Sequence, residues 1–109
     1  MKPYSTIQEI ALNTTGITYS DVMNFEKFSE AEQFEIKTNV KTWDGSVKFT
    51  IEVSDDNETW FEVDDSSWTI AAVEDGWIII DAQWKYMRVK IDYTHSSAET
   101  NIDLFTLIR

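Results

Sequence analysis

A chain of 109 residues, 42% hydrophobic and 14% aromatic, has the length of one domain and the apolar content to fill a core, which excludes a disordered chain. Twenty acidic against nine basic residues give a net charge of −11, a balance that repels phosphate backbones and argues against nucleic-acid binding. With no cysteine there is no disulfide framework, thiolate metal site or thiol nucleophile, and no apolar run nears the ~18 residues of a membrane span. No signal-peptide core follows Met1-Lys2-Pro3-Tyr4, so the expectation is one domain over residues 1–109, made in a cytoplasm and kept off membranes.

Residues 6–12 form the first strand candidate, closed by the turn signal Asn13-Thr14-Thr15-Gly16. Residues 17–28 admit two readings. Asp21 is placed to cap a short helix carrying Val22, Phe25 and Phe28, or Val22-Met23-Asn24-Phe25 is an irregular strand, which a β-rich chain favours. Ser29-Glu30-Ala31-Glu32 reads as a polar turn.

Strict alternation then begins. Phe34, Ile36, Thr38 and Val40 face one way, and Glu35, Lys37, Asn39 and Lys41 the other. Trp43-Asp44-Gly45-Ser46 predicts a hairpin that pairs residues 34–42 with residues 47–54, setting Glu35, Lys37, Lys41, Lys48 and Glu52 on one solvated surface. In residues 47–63, Val47, Phe49, Ile51 and Val53 point to a core. An acidic turn, Asp55-Asp56-Asn57-Glu58, follows, and Trp60 is expected to fold back into that core before a strand ending at Val63.

Asp64-Asp65-Ser66-Ser67 is a second turn, Trp68 opens a strand through Val73, and Glu74-Asp75-Gly76 turns again. The run Trp77-Ile78-Ile79-Ile80 predicts burial on both faces, within the sandwich or against another subunit. Met87, Val89, Ile91 and Tyr93 oppose Tyr86, Arg88, Lys90 and Asp92. In the last strand Ile102, Leu104, Thr106 and Ile108 oppose Phe105 and Leu107. About eight short strands with turns between them predict an all-β, antiparallel β-sandwich of jelly-roll type.

Ser54-Asp55-Asp56-Asn57-Glu58-Thr59-Trp60 resembles the Ser-x-Asp-Gly-x-x-Trp turn of discoidin-like, galactose-binding-like β-sandwiches. Tyr86-Met87-Arg88-Val89-Lys90-Ile91 resembles the Tyr-x-Arg strand that commonly follows it, and small bacteriophage virion proteins with this fold are especially similar. The turn also has its own logic: Asp56 can bond the local backbone, and Asn57 tolerates the left-handed conformation that Gly would otherwise supply. The chain lacks the terminal cysteine pair and the apolar-tipped loops of many discoidin domains, so the resemblance implies the fold more than a ligand site.

For catalysis the residues offer little. His95, the sole histidine, adjoins Ser96 and Ser97, but sequence neighbours rarely build a nucleophile–base geometry. The paired carboxylates Asp55/Asp56, Asp64/Asp65 and Glu74/Asp75 fall in turns rather than across a cleft, so no enzymatic activity is expected. Calcium is the cofactor to weigh: Asp55, Asn57, Asp64 and Asp65 supply oxygens, but Trp60 replaces the Gly of an EF-hand loop and Ser66 its twelfth-position Glu. No cofactor is therefore expected. Trp43, Trp68, Trp77 and Trp84, with Ile79, are the candidates for an interface or for stacking on a glycan. The resemblance to virion proteins, taken with these features, implies a bacteriophage virion subunit, on the capsid or tail, that docks on other virion proteins and forms a homo-oligomer. The alternative is a carbohydrate-binding module.

Overall fold

The computed structural model describes residues 4–24, 33–70, 75–81 and 84–108. Ten strands carry it: β1 (Tyr4–Leu12), β2 (Gly16–Tyr19), β3 (Met23–Asn24), β4 (Gln33–Thr42), β5 (Ser46–Ser54), β6 (Phe61–Glu62), β7 (Trp68–Ile70), β8 (Asp75–Asp81), β9 (Tyr86–Thr94) and β10 (Thr100–Ile108). They form two antiparallel sheets, one in the order β1-β10-β4-β8 and the other β2-β9-β5-β6, with β3 also on β9 and β7 also on β5. The chain is all-β, and its sheets face each other across one apolar layer.

Alternation places the side chains as the sequence predicts. Phe34, Ile36, Thr38 and Val40 of β4 turn inward, as do Val47, Phe49, Ile51 and Val53 of β5. Met87, Val89, Ile91 and Tyr93 of β9 and Ile102, Leu104 and Thr106 of β10 complete the layer. Val, Ile and Thr recur at these positions because a branched Cβ packs well on a pleated surface. In the ambiguous region β2 and β3 are both strands, laid end to end along β9. Residues 25–32, which include the expected polar turn at 29–32, lie outside the described residues.

The expected β4–β5 hairpin does not exist. β4 pairs with β10 and β8, and β5 pairs with β9, β6 and β7, so Asp44-Gly45 carries the chain from one sheet to the other. Gly45 has φ 75°, and a Cβ there would stand 1.9 Å from the carbonyl oxygen of Thr94. Asp44 fixes the crossing: its Oδ2 accepts from the amides of Ser97 and Ala98, and its own amide donates to Thr100 Oγ1 at 2.8 Å. Glu35, Lys37 and Lys41 consequently lie on the outside of one sheet, while Lys48 and Glu52 belong to the other.

Three further expectations change. The outward side of β5 is not wet: Thr50, Glu52 and Ser54 are all buried, because residues 61–67 fold across it. Ser66 ties that cover down, bonding Ile51 N at 3.2 Å and Val63 O at 2.6 Å, and Ser67 meets Thr50 Oγ1 at 2.9 Å. Trp60 is not in the core; its ring lies on this outer side, 4.2 Å from the Arg88 guanidinium carbon. Asp75 and Gly76 belong to β8 rather than to a turn. The indole of Trp68 lies against Gly76, where a Cβ would approach its Nε1 to 2.6 Å.

Candidate docking surface

Among the described residues strand β8 is an edge, paired on one side with β4. Its alternation sends Ile80 into the core and half-buries Ile78, but Trp77 and Ile79 point outward and are 63% and 39% exposed. Within this chain the run is thus buried on one face, so the expected burial inside the sandwich does not occur and the outer face stays exposed. Sequence hydrophobicity alone cannot tell a strand between two layers from an edge strand with an apolar outer face.

Register extends this apolar surface across the sheet. Ile7 of β1 stands opposite Phe105 of β10, Phe105 opposite Lys37 of β4, and Lys37 opposite Trp77 of β8. Leu107, Glu35 and Ile79 form the next row, and the Lys37 ammonium lies 3.5 Å from Glu35. Ile7 is 57% and Phe105 38% exposed, so the outer face carries several large apolar side chains beside the Lys37–Glu35 and Lys41–Asp103 ion pairs. A shallow cleft of about 290 Å³ opens beside Trp77 and Phe105, rimmed by Lys37, Asn39 and Asp75. Single exposed apolar residues are ordinary on a protein surface, whereas contiguous patches commonly mark interaction sites.

The other sequence candidates are dispersed. Trp43 is exposed at the crossing turn after β4. Trp68 stacks on Phe49 at 5.2 Å and donates from Nε1 to Thr38 Oγ1, so it seals the margin of the core, and Trp84 packs against the same core half-buried. Neither is an exposed anchor in this fold. Ile7 and Phe105 were not candidates from sequence. Their alternation was readable, but only the order β1-β10-β4-β8 sets them in line with Trp77.

The weak calcium candidates sit in two turns. Asp56 Oδ1 accepts from the amides of Glu58 and Thr59, each at 2.8 Å, and from Ser54 Oγ at 3.0 Å. These donors, Thr59 foremost, lower its pKa to about 2. Asn57 has φ 60°, so the turn forms as the sequence logic requires, with Asn57 in the left-handed place. Asp65 likewise has φ 57°. Asp55 and Asp64 are exposed beside them, and among the described residues no three acids or histidines come together as a metal cluster.

The outer face of the other sheet is occupied by its own contacts. Arg88 lies 3.8 Å from the Tyr19 ring and 4.2 Å from that of Trp60, and its Nε donates to Glu52 Oε1 at 2.8 Å. Lys90 meets Glu62 at 3.1 Å. Glu62 stands directly opposite Glu52, so these two cations separate a like-charge pair that would otherwise be unfavourable.

Fold and surface define the class: an all-β protein of two antiparallel sheets with an apolar outer face. Neither a family model nor a curated protein matches the chain by sequence. Among solved structures it is similar to PBSX exported protein XepA, at TM-score 0.76 and 15% identity over 96% of this chain. The chain spans only 36% of that protein's length. It is also similar to the Yersinia pseudotuberculosis-derived mitogen, at TM-score 0.72 and 11% identity, covering 99% of this chain and 88% of the mitogen. SPBc2 prophage-derived protein YomS follows at TM-score 0.52 and 9% identity, covering 98% and 96% of the two chains. At such identities the likeness establishes the fold alone.

Proposed function

We propose that this chain is a non-enzymatic bacteriophage virion protein, a capsid-decorating or tail-associated subunit, that docks through the outer face of the β1-β10-β4-β8 sheet. The observation that carries the reading is the row Ile7, Phe105, Lys37 and Trp77, continued by Ile79. An aromatic anchor with large apolar neighbours is the composition of an interface centre. The resemblance to prophage-derived YomS in fold supports the phage setting. We read the passage of successive strands between the two sheets as a jelly roll of the discoidin-like kind. A homo-oligomer is part of this reading, as is assembly into the virion after synthesis in the host cytoplasm.

Co-sedimentation with phage heads and tails tests it. Wild-type protein should pellet with one of them, and Trp77→Ala/Phe105→Ala should remain in the supernatant with its thermal unfolding little changed. A double variant that pellets as well as wild type would remove this face from the reading.

The cleft beside Trp77 favours a second reading, a carbohydrate-binding module. An exposed indole next to Asn39 and Asp75 offers a stacking surface with hydrogen-bonding groups at its rim. Titration with a glycan panel should then change tryptophan fluorescence in wild type and leave Trp77→Ala silent. Glycan binding that survives Trp77→Ala would discard the cleft as its site.

A further inference from the structure

Among the described residues nothing pairs with the second side of β8, so its alternate backbone N–H and C=O groups are open to another strand. Along the outward side the strand reads Asp75, Trp77, Ile79, Asp81: two large apolar side chains between two exposed carboxylates. A strand added here would extend the sheet and cover Trp77, Ile79 and the half-buried Ile78. The question is which strand.

A second copy is a poor fit. In an antiparallel pair, directly opposite residues point to the same face, so self-pairing of β8 that aligns its full length is centred on Ile78. Asp75 then faces Asp81 of the other copy, twice, and like charges directly opposite are destabilising. Shifting the register by two residues removes that clash only by setting a carboxylate against Trp77 or Ile79. The rest of the chain supplies no better match, since no two of its nine Lys and Arg stand six residues apart.

We propose that β8 accepts an antiparallel strand from a different protein, one reading basic–x–apolar–x–apolar–x–basic. Its cations face Asp75 and Asp81 and its apolar side chains lie beside Trp77 and Ile79. Main-chain bonds supply the attachment and the flanking charges select the partner. The acidic ends attract this strand and turn away a second copy. The inference rests on the docking reading above and specifies the chemistry of its partner.

Nuclear magnetic resonance of the full chain, titrated at low ionic strength with the end-capped heptapeptide Lys-Thr-Ile-Thr-Ile-Thr-Lys, tests it. The amides of β8 should shift and exchange more slowly. The glutamate-flanked counterpart should bind about ten-fold more weakly, and Asp75→Lys/Asp81→Lys should reverse that order. Asp75→Lys alone makes the strand complementary to itself, so it should gain concentration-dependent protection of β8 that wild type lacks. Equal binding of the two peptides, β8 amides indifferent to both, or self-protection of β8 in wild type would each overturn the proposal. Particles that bind wild type without protecting β8 overturn strand addition and leave docking by the outer face standing. Peptide selectivity with no particle binding overturns the virion reading and supports the edge.

Discussion

Arg88 and Glu52 stand directly opposite each other on β9 and β5, and the guanidinium Nε lies 2.8 Å from the carboxylate Oε1. Their side chains are only 21% and 10% exposed, and the Tyr19 and Trp60 rings flank the guanidinium. Removing the arginine leaves a largely buried carboxylate facing Glu62 across the β5–β6 pair. Arg88→Ala should therefore lower stability by about 2–3 kcal/mol in urea unfolding, below the upper range for a broken buried pair because some exposure remains. Arg88→Lys should recover only part of this, since an ammonium lacks the planar fork and the stacking. Arg88→Ala/Glu52→Gln should cost less than the sum of its single changes.

Gly76 is constrained by proximity rather than by a turn. A Cβ would meet Trp68 Nε1 at 2.6 Å, Trp68 Cδ1 at 2.8 Å and Thr38 Oγ1 at 3.2 Å. The indole cannot withdraw freely, because it stacks on Phe49. Gly76→Ala should cost about 1–3 kcal/mol by overpacking, measured by urea unfolding. In a Trp68→Leu background the added cost of Gly76→Ala should shrink. An unchanged cost there would locate the strain elsewhere.

The Asp56 turn predicts an acid-sensitive contribution. The folded-state pKa is depressed to about 2 from an ordinary 3.8 by the amides of Thr59 and Glu58 and the Ser54 hydroxyl. A depressed carboxylate stabilises the fold fully above its unfolded pKa and loses that stabilisation as pH falls through the folded value. The stability gap between wild type and Asp56→Ala should be complete at neutral pH and narrow from about pH 4 towards about pH 2. A gap independent of pH would assign the loss to the turn's shape instead of its charge.

Asp44 makes the sheet crossing depend on one carboxylate. The amides of Ala98 and Ser97 lower its pKa and hold it as an acceptor for the loop between β9 and β10. Asp44→Ala should accelerate hydrogen exchange at Ser97 and Ala98 and lower the urea midpoint. Asp44→Asn, whose carbonyl still accepts, should restore part of both. Unchanged exchange at both amides would show that the loop holds itself.

The sequence by itself determined which way most strand residues face and how the Ser54–Asp56–Asn57 turn closes. A period of two follows from the pleat, and the turn is made by side chains within three residues of each other. Only the tertiary structure decided which strands are neighbours. Asp44-Gly45 is as suited to a crossing between sheets as to a hairpin within one, because glycine supplies the backbone conformation and the docking of Asp44 on a distant loop selects the path. The same limit hid the candidate surface. Phe105, Lys37 and Trp77 come together through hydrogen-bonded registers between strands far apart in the chain, and alternation along each strand carries no information about its neighbour.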